Sequence, residues 1–357
     1  MKREELLSSI RLNSPIENVC LEDDLEGLDF DGVILSGVRF IDCSLTKVSF
    51  TGAVVSGCDF SGSDLRDADI NGASFVDSNF SQANFSGKEF ESVCFTDCKL
   101  SSALFERSKI KKSVFNKSDL TGCRWDRSEV LDTALNQCII NGASFKEIAW
   151  DNFALNEVNF TDARWLPLSI CRGLMMKCDF SQVCFDSVRY SNCSFNESFF
   201  SGNQIVKSKF FECLFVACKF EEVQISGSTF ARSIFSRSQI RRCLVTRSNF
   251  SESNFDLVTL IYSEFKSVDC NRSRWAEAQL NKVSLDECEL NSTDFSGAKL
   301  QDCKFTGCNL VGSNWHKIDV DLFLSESQRS QLLPVDEERL KADLAFSEIR
   351  PPRLAVG

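Results

Sequence analysis

The chain repeats one hydrophobic pattern over most of its length, with an apolar residue at every fifth position. From Leu25 to Val320 the pattern runs through 60 consecutive positions without an insertion or deletion. Of the 32 phenylalanines, 27 occupy this central position, as do all five tryptophans. Two residues earlier, 52 of the 60 positions hold Ala, Cys, Gly, Ser, Thr or Val. This period fits neither a helix of 3.6 residues per turn nor a strand with a period of two.

Each five-residue unit is predicted to be a short strand followed by a corner. Residues separated by one position point to the same side of an extended segment, so the small residue and the central residue both face inward. Fifteen of the 17 glycines lie two residues after the central position, where the chain has to turn. A chain of such units winds into a solenoid with a continuous apolar core.

Four units are predicted to complete one turn. Adjacent coils place equivalent residues ~4.8 Å apart, which favours opposite charges over like charges. Between residues 25 and 320, charged pairs separated by 20 residues include 21 of opposite sign and 6 of like sign, whereas a separation of 25 residues gives 7 and 16. The series Glu212, Arg232, Glu252 and Arg272 has this alternation. Sixty units therefore predict 15 coils.

The units Ala68-Asp69-Ile70-Asn71-Gly72 and Cys308-Asn309-Leu310-Val311-Gly312 resemble those of the pentapeptide-repeat family. The resemblance covers residues 25–320 and implies a mainly β fold, a right-handed parallel quadrilateral β-helix of about 15 coils. Members of this family are mostly bacterial and lack enzymatic activity, so the resemblance also implies a protein that is not an enzyme. Some relatives resemble a DNA duplex and bind DNA gyrase, protecting it from quinolones or toxins, and others are effectors.

The repeats divide the chain into an N-terminal cap at 1–24, the β-helix at 25–320 and a C-terminal segment at 321–357. A short helix is expected from Glu4 to Leu12, covering the first coil. Ser325 to Gln328 has the pattern of a capping box, and a second helix is expected over 336–347. The C-terminal helices either cover the open strand edges of the last coil or join two chains in a homodimer.

The pattern is least regular between residues 148 and 176. Bulky residues occupy small positions there, among them Ile148 and Phe153. This predicts either a distorted pair of coils or an apolar patch that binds a partner, with Trp165 and Leu166 as candidate residues. Lys88 also occupies a small position, which predicts a local bulge or a functional kink unless its side chain reaches out to solvent.

The composition offers little for catalysis or metal binding. The chain has a single histidine, His316, and its 18 cysteines include no Cys-x-x-Cys pair. We therefore expect no enzymatic activity, no metal and no cofactor, and we interpret most cysteines as small inward-facing residues. So many unpaired thiols suit a reducing cytoplasm, with secretion as an effector the alternative. No apolar run reaches the ~18–20 residues of a membrane-spanning helix.

Charge distinguishes two hypotheses of function. The formal net charge is -11, with -10 on residues 1–100 and +5 on residues 201–250. Because a DNA mimic should carry carboxylates steadily along its length, the preferred hypothesis is a non-enzymatic scaffold that binds an unidentified protein. The alternative is a DNA-mimicking binder of DNA gyrase or topoisomerase, and direct binding of nucleic acid is not expected. The candidate acidic residues for partner binding are Asp59, Asp64, Asp67, Asp69 and Glu89.

Overall fold

The computed structural model describes residues 3–21, 25–40, 45–164, 169–334 and 337–338. The chain divides into two compact units, Met1–Gln204 and Ile205–Gly357. Both units are parallel β-solenoids, and together they contain about 14 turns, close to the predicted 15. The prediction of a mainly β solenoid is therefore confirmed. The described helices are short: α1 (Arg3–Arg11), a 3₁₀ turn (Val320–Leu322) and α2 (Glu326–Arg329).

Nearly every strand has three residues, a buried central one between two that face outward. The strands that lie within the first unit are β1 (Ile16–Glu17), β2 (Ile34–Ser36), β3 (Val54–Ser56), β4 (Ser74–Val76), β5 (Glu89–Glu91), β6 (Cys94–Thr96), β7 (Lys109–Lys111), β8 (Val114–Asn116), β9 (Glu129–Leu131), β10 (Ala134–Asn136), β11 (Ala149–Asp151), β12 (Ala154–Asn156), β13 (Ser169–Cys171), β14 (Leu174–Met176), β15 (Cys184–Asp186), β16 (Arg189–Ser191) and β17 (Phe199–Ser201).

The division between the units falls within β18 (Gln204–Val206). The strands that lie within the second unit are β19 (Lys209–Phe211), β20 (Lys219–Glu221), β21 (Gln224–Ser226), β22 (Gln239–Arg241), β23 (Leu244–Thr246), β24 (Thr259–Ile261), β25 (Glu264–Lys266), β26 (Gln279–Asn281), β27 (Ser284–Asp286), β28 (Lys299–Gln301) and β29 (Lys304–Thr306).

Strands pair in parallel with the predicted offset of 20 residues. In the first unit, the first sheet has the order β1-β2-β3-β4-β6-β8-β10-β12-β14, and the second sheet contains β5-β7-β9-β11-β13-β16. In the second unit, one sheet contains β21-β23-β25-β27-β29 and another β20-β22-β24-β26-β28. Phe75 lies opposite Phe95, and Leu260 lies opposite Leu280. Four five-residue repeats per turn are thus confirmed within each of the two compact units.

The central residues form stacked columns inside each unit. Phe40, Phe60 and Phe80 have successive ring-centroid distances of 4.6 and 4.7 Å. In the second unit, Phe215 stacks on Phe235 and Phe235 on Phe255, both at 4.9 Å. Offset stacking of this kind adds to the free energy gained from burying each ring. The core is therefore a set of columns in which each coil contacts the coils above and below.

Nearly every described corner residue, two places after the central residue, has a left-handed backbone. Its φ lies near +45° to +70° at both glycine and other residues, for example +67° at Gly122 and +56° at Ala217. Only glycine adopts this region without a steric cost, which explains the glycines in this position. None of the residues with positive φ in the described ranges is valine, isoleucine or threonine, whose branched Cβ fits this region worst.

The small residues also complete the backbone hydrogen bonding. The hydroxyl of Ser118 accepts the N–H of Cys98 (3.2 Å) and donates to the carbonyl of Phe95 (3.2 Å), both one coil earlier. Ser228 does the same with the N–H of Ser208 (3.0 Å) and the carbonyl of Ile205 (3.2 Å). Size alone does not explain serine in these positions, because buried amides and carbonyls also need partners.

The winding begins earlier than the repeat pattern predicts. β1 pairs with β2 so that Ile16 lies opposite Leu35, an offset of 19 residues instead of 20. Ile16 and Leu21 are buried and five residues apart, one residue out of phase with the later repeats. Part of the segment predicted as a cap therefore forms a further strand. α1 covers residues 3–11 where residues 4–12 were expected, and its Leu6 is buried.

The segment after the repeats contacts the last coil. The side-chain oxygen of Gln328 accepts the N–H of Ser325 (3.1 Å), as the capping-box pattern predicts. The Gln328 side-chain amide donates to the carbonyl of Phe305 (2.7 Å), and the Gln331 side chain accepts the N–H of Leu310 (2.9 Å). Apart from residues 337–338, the helix expected at 336–347 lies outside the described residues. The choice between a cap and a homodimer therefore stays a prediction.

Two of the irregular small positions, Phe153 and Lys88, are accommodated without a break in the winding. Phe153 is only 2 % exposed, and the residue one coil later is Gly173, where an added Cβ would lie 2.6 Å from the Phe153 ring. The large residue thus occupies space that the glycine leaves free. At Lys88 the backbone keeps the regular bonds, its N–H to Phe85 (3.1 Å) and its carbonyl to Lys109 (2.8 Å). The half-exposed Lys88 side chain reaches solvent, so the predicted bulge is wrong.

Candidate protein-binding surface

The outward side of the first sheet carries no charged side chain over eight consecutive strands, from β2 to β14. This side is called the uncharged face. Its outward residues are apolar or neutral and polar: Ile34, Ser36, Val54, Ser56, Ser74, Val76, Cys94, Thr96, Val114, Asn116, Ala134, Asn136, Ala154, Asn156, Leu174 and Met176. A quarter of all residues in the chain are charged, so their absence from sixteen outward positions requires an explanation.

The second sheet of the same unit has the opposite character. Seven of its twelve outward residues on β5, β7, β9, β11, β13 and β16 are charged. They form ion pairs between neighbouring strands, such as Lys111 with Glu89 (2.6 Å) and Lys109 with Glu129 (3.8 Å). Outward positions in this solenoid therefore accept charge readily, and the uncharged face is a local property of one sheet.

Large apolar side chains at both ends of the uncharged face are exposed. Ile34 is 50 %, Val54 48 % and Leu174 52 % exposed. Eight strands at ~4.8 Å spacing span about 34 Å, and the five residues of one side span at most about 16 Å. The area is then on the order of 550 Å². An interface formed on it would bury about 1,100 Å² in total, just above the ~1,000 Å² lower limit for a specific interface and below the ~1,600 Å² of a standard one.

A charged rim borders the uncharged face. The corner column that follows its strands contains Asp77, Asp97, Lys117, Glu157 and Lys177. Lys177 and Glu157 form an ion pair of 4.0 Å within this column. An uncharged centre with a charged, solvated rim is the usual anatomy of a protein–protein interface.

The five candidate acidic residues do not form one patch. Asp59 bridges to Asn79, Asp64 to Asn84 and Asp69 to Ser49, which places them on three different sides of the coil. Asp67 follows at the corner after Asp64. Neighbouring acids in the chain separate because each five-residue unit turns a corner. Their role in partner binding stays a prediction.

Most of these acids have partners within the chain. Arg66 donates to both oxygens of Asp64, the closest contact being 2.6 Å, and this hydrogen bond lowers the pKa of Asp64. The ammonium of Lys111 lowers the pKa of Glu89 in the same way. Asp59 accepts from the side-chain amide of Asn79 (3.0 Å). These carboxylates are partly neutralised, unlike the free phosphates that a DNA mimic would copy.

Glu89 lies beside a recess in the first unit. Gly52 and Gly72 leave space between corner residues, and the resulting cavity of about 570 Å³ is also lined by Asn71 and Glu91. Glu91 forms an ion pair of 2.6 Å with Lys112. The cavity is open, and both carboxylates that line it, those of Glu89 and Glu91, are in ion pairs.

Trp165 and Leu166 lie outside the described residues, so their proposed role stays a prediction. In the described part of the same irregular region Ile148 and Phe153 are buried, whereas Leu174 and Met176 are exposed as part of the uncharged face. An exposed apolar surface does exist in the first unit, but it is the uncharged face. Reading the sequence in steps of 20 from Ile34 would have found it, because the outward residues then line up in columns.

The cysteines are free thiols wherever the structure describes them. Most are buried, as predicted, whereas Cys171 and Cys184 are exposed. Burial raises the pKa of the Cys58 thiol to about 11 and that of Cys98 to about 12. Among the described residues there is no group of three or more metal-ligating side chains. No helix in the described ranges is long and apolar enough to cross a membrane.

Two family models match the sequence. "Pentapeptide repeat region" matches residues 55–125 and 238–315, and "Pentapeptide repeats (8 copies)" matches residues 24–62. Together the matches cover 24–125 and 238–315, just over half of the 357 residues. A search of curated proteins finds no match.

Several solved structures are similar to this chain. HetL, a pentapeptide repeat protein involved in heterocyst differentiation regulation in the cyanobacterium Nostoc sp. strain PCC 7120, is 13 % identical with a TM-score of 0.21, covering 88 % of this chain and 96 % of its own. Full-length QnrB1, a plasmid-mediated fluoroquinolone resistance protein, is 15 % identical with a TM-score of 0.26, covering 73 % and 100 %. A mannuronic acid specific polysaccharide family 6 lyase from human gut microbiota is 8 % identical with a TM-score of 0.26, covering 97 % and 93 %. At these identities and scores the likeness says nothing about activity or binding.

Proposed function

Because this chain belongs to the pentapeptide-repeat family, we propose that its repeat scaffold binds a partner protein through the uncharged face. The observation that carries the proposal is the absence of charge from sixteen outward positions on β2 to β14. Nine of these sixteen outward residues are apolar, and Ile34, Val54 and Leu174 are about half exposed; exposed apolar groups clustered on one side of a soluble protein commonly mark an interaction site. The scaffold role needs no catalytic group, and we expect none.

The partner must present an uncharged surface of its own. A charge placed against the centre of this face would lose its hydration without gaining an opposite charge, which is costly. The rim can meet a polar border, since Asp77 and Asp97 follow the third and fourth strands of the face and Lys117 and Lys177 follow the fifth and eighth. The partner surface is therefore expected to be flat, apolar at its centre and polar around it.

A pair of matched substitutions tests this proposal. Ala134→Lys places a charge at the middle of the uncharged face on β10, whereas Ala149→Lys places the same charge on β11 in the neighbouring, charged sheet. Both positions face outward, so neither change should alter the melting temperature measurably. Proteins captured from the native cell by the wild type and by each variant are identified by mass spectrometry. The affinity of the purified partner is then measured by calorimetry.

The proposal expects Ala134→Lys to weaken binding of one identified partner at least tenfold and Ala149→Lys to leave it within about twofold, since one desolvated charge costs more than ~1.4 kcal/mol. A partner that tolerates Ala134→Lys would refute the face as its binding surface. So would a partner lost equally with both variants.

The gyrase hypothesis is tested separately. The separation of Asp59, Asp64 and Asp69, and the side-chain partners of Asp59 and Asp64, make it the weaker proposal, since mimicry needs closely spaced free carboxylates. A supercoiling assay with purified DNA gyrase and this protein decides it, because no effect at micromolar concentration would exclude it. We also propose a reducing cytoplasmic location, supported by the many free thiols. A translocation reporter fusion would detect secretion instead.

A further inference from the structure

A corner of the second unit forms a groove of about 480 Å³ with an excess of positive charge. Lys207, Lys209 and Arg247 line it, together with a single acid, Asp269. We propose that this groove binds one phosphoryl-sized oxyanion in the recess at Gly227. The site is independent of the uncharged face, which belongs to the first unit.

Gly227 creates space between two cations. It occupies the corner position one coil after Lys207 and one coil before Arg247, so each is about 4.8 Å away along the column. Its φ is +57°, and the nearest atom to an added Cβ would be Cγ of Lys207 at 3.9 Å. A side chain here would project into the groove between the cations. The glycine leaves that volume open to a ligand.

The three cations form no ion pair with any residue that the structure describes. Among the described residues, no carboxylate lies within 4.0 Å of the charged nitrogens of Lys207, Lys209 or Arg247. Arg232 in the same unit is the contrast, since it pairs with Glu212 (3.6 Å) and Glu252 (3.1 Å). Unpaired cations around one recess lower the free energy of a bound anion without first breaking an existing pair.

Neutral groups in the groove are also arranged to donate. The side-chain oxygen of Asn249 accepts the N–H of Ser251 (2.7 Å), so the amide nitrogen of Asn249 is the end left for another partner. The Thr229 hydroxyl accepts the N–H of Ala231 (3.4 Å) and keeps its own proton to donate. Oxyanions are bound by such sets of charged and neutral donors.

The charges farther along the same corner limit the size of the ligand. One coil beyond Arg247 and Asn249 the groove reaches Asp269, whose carboxylate accepts the N–H of Asn271 (2.9 Å). Glu287 and Glu289 follow after another coil. A chain of phosphates such as a nucleic acid would meet these acids and be repelled. The positive part spans about 10 Å, which fits one phosphoryl group.

The corner also contains an internal control. Gly307 lies in the same column as Gly227 and has a similar φ of +64°, but its neighbour one coil earlier is Glu287. The backbone recess is therefore repeated with the opposite charge beside it. Binding that depends on the cations should involve Gly227 and not Gly307.

Calorimetric titration of the full chain with inorganic phosphate, at constant ionic strength set by chloride, tests the proposal. We expect saturable binding with a Kd on the order of a millimolar, as a few solvent-exposed charge-assisted hydrogen bonds provide. Arg247→Gln should raise the Kd about tenfold, whereas Arg232→Gln, which removes an already paired cation, should leave it within about twofold. Gly227→Asp should abolish binding, and Gly307→Asp should not.

The source of the phosphoryl group is distinguished by a second titration with N-acetyl-phosphoserine amide. Tighter binding than phosphate, lost with Gly227→Asp, supports a phosphoryl group carried on a protein; equal binding supports a free anion. The proposal is overturned if phosphate binding does not saturate, or if Arg232→Gln weakens it as much as Arg247→Gln. Circular dichroism of each variant ensures that a loss of binding is compared between folded proteins.

Discussion

The tryptophans of the core lead to a prediction about stability. The indole N–H of Trp275 donates to the Ser273 hydroxyl (2.8 Å), and that of Trp315 donates to Ser313 (3.0 Å). In both cases the serine lies two residues before the tryptophan, in the small position of the same five-residue repeat. Trp125 has Cys123 in that position, and its indole nitrogen is buried without a hydrogen-bond partner among the described residues. Cys123→Ser should provide the missing acceptor.

The expected gain follows from the hydrogen bond. An unpaired buried donor costs about 1–3 kcal/mol, and a completed bond contributes about 1 kcal/mol net. The replaced thiol also interacts, because it donates to the carbonyl of Leu100 (2.9 Å), but a hydroxyl can donate in the same way. Exchanging a thiol for a hydroxyl removes some apolar burial, so that cost must be measured separately.

Cys98→Ser measures that cost. Its thiol is buried and donates to the carbonyl of Phe75 (3.4 Å) one coil earlier, as Cys123 does to Leu100, but a leucine follows it in the central position. Urea denaturation followed by circular dichroism compares both variants with the wild type. Cys123→Ser should be more stable than Cys98→Ser by about 1–2 kcal/mol. Equal destabilisation by the two substitutions would refute the hydrogen-bond argument.

Three further predictions concern the core, the corners and the thiols. Phe215→Asp, which buries an unpaired charge in the stack with Phe235 (4.9 Å), should unfold the second unit, and a soluble variant with the wild-type melting temperature would contradict this. Ala217 has a φ of +56°, so Ala217→Gly should raise the free energy of unfolding by up to ~1 kcal/mol and Ala217→Val should lower it. Urea midpoints of the two variants measure this, and the reverse order of stability would exclude backbone strain as the cause. Burial raises the pKa of Cys58 to about 11 and of Cys98 to about 12 from 9.0. The stability that the folded protein gains from keeping these two thiols protonated is therefore complete below pH 9 and is lost as the pH rises through 11 to 12. Thermal melts across that range should show a steeper fall for the wild type than for Cys58→Ala/Cys98→Ala.

The number of residues in one turn of the solenoid was predictable because charged residues and core residues both lie next to their counterparts 20 positions away. Arg232 contacts both Glu212 and Glu252, residues 20 positions away on either side, as the charge alternation predicts. A surface ion pair of this kind contributes little to stability, typically under 1 kcal/mol. It is nevertheless informative about register, since like charges one coil apart would repel along the whole column.

The role of the small residues could not be predicted from size. Serine, alanine and cysteine all satisfy the steric requirement, but alanine can form neither hydrogen bond. The Ser118 hydroxyl accepts the N–H of Cys98 and donates to the carbonyl of Phe95. The Cys58 thiol likewise accepts the N–H of Val38 (3.3 Å) and donates to the carbonyl of Ser56 (3.4 Å). Counting the backbone N–H groups at each corner would have indicated that some need a side-chain partner. Phe153 was likewise interpreted as a distortion, although Gly173, 20 residues later, already compensates for its volume.

The candidate acids were grouped by nearness in the chain, and that measure fails in this fold. Asp59, Asp64 and Asp69 are five residues apart, but a corner lies between each pair and places them on three sides. Residues that share a surface are those 20 apart, such as Val54 and Ser74 on neighbouring strands. Net charge summed over a continuous segment therefore mixes all four sides and cannot reveal an uncharged one.

The uncharged face is not a requirement of the fold. The neighbouring sheet of the same unit accepts Glu89, Lys109 and Glu129 at equivalent outward positions, and its strands pair with the same register. Core packing depends on the inward residues, so the outward residues of each side are free to vary separately. The absence of charge from eight strands on one side, next to a sheet with seven charged outward residues, is therefore not imposed by the core, and under the proposed function it reflects a constraint from outside the chain. A bound surface that excludes charge is such a constraint, because it penalises a desolvated ion at every one of these positions.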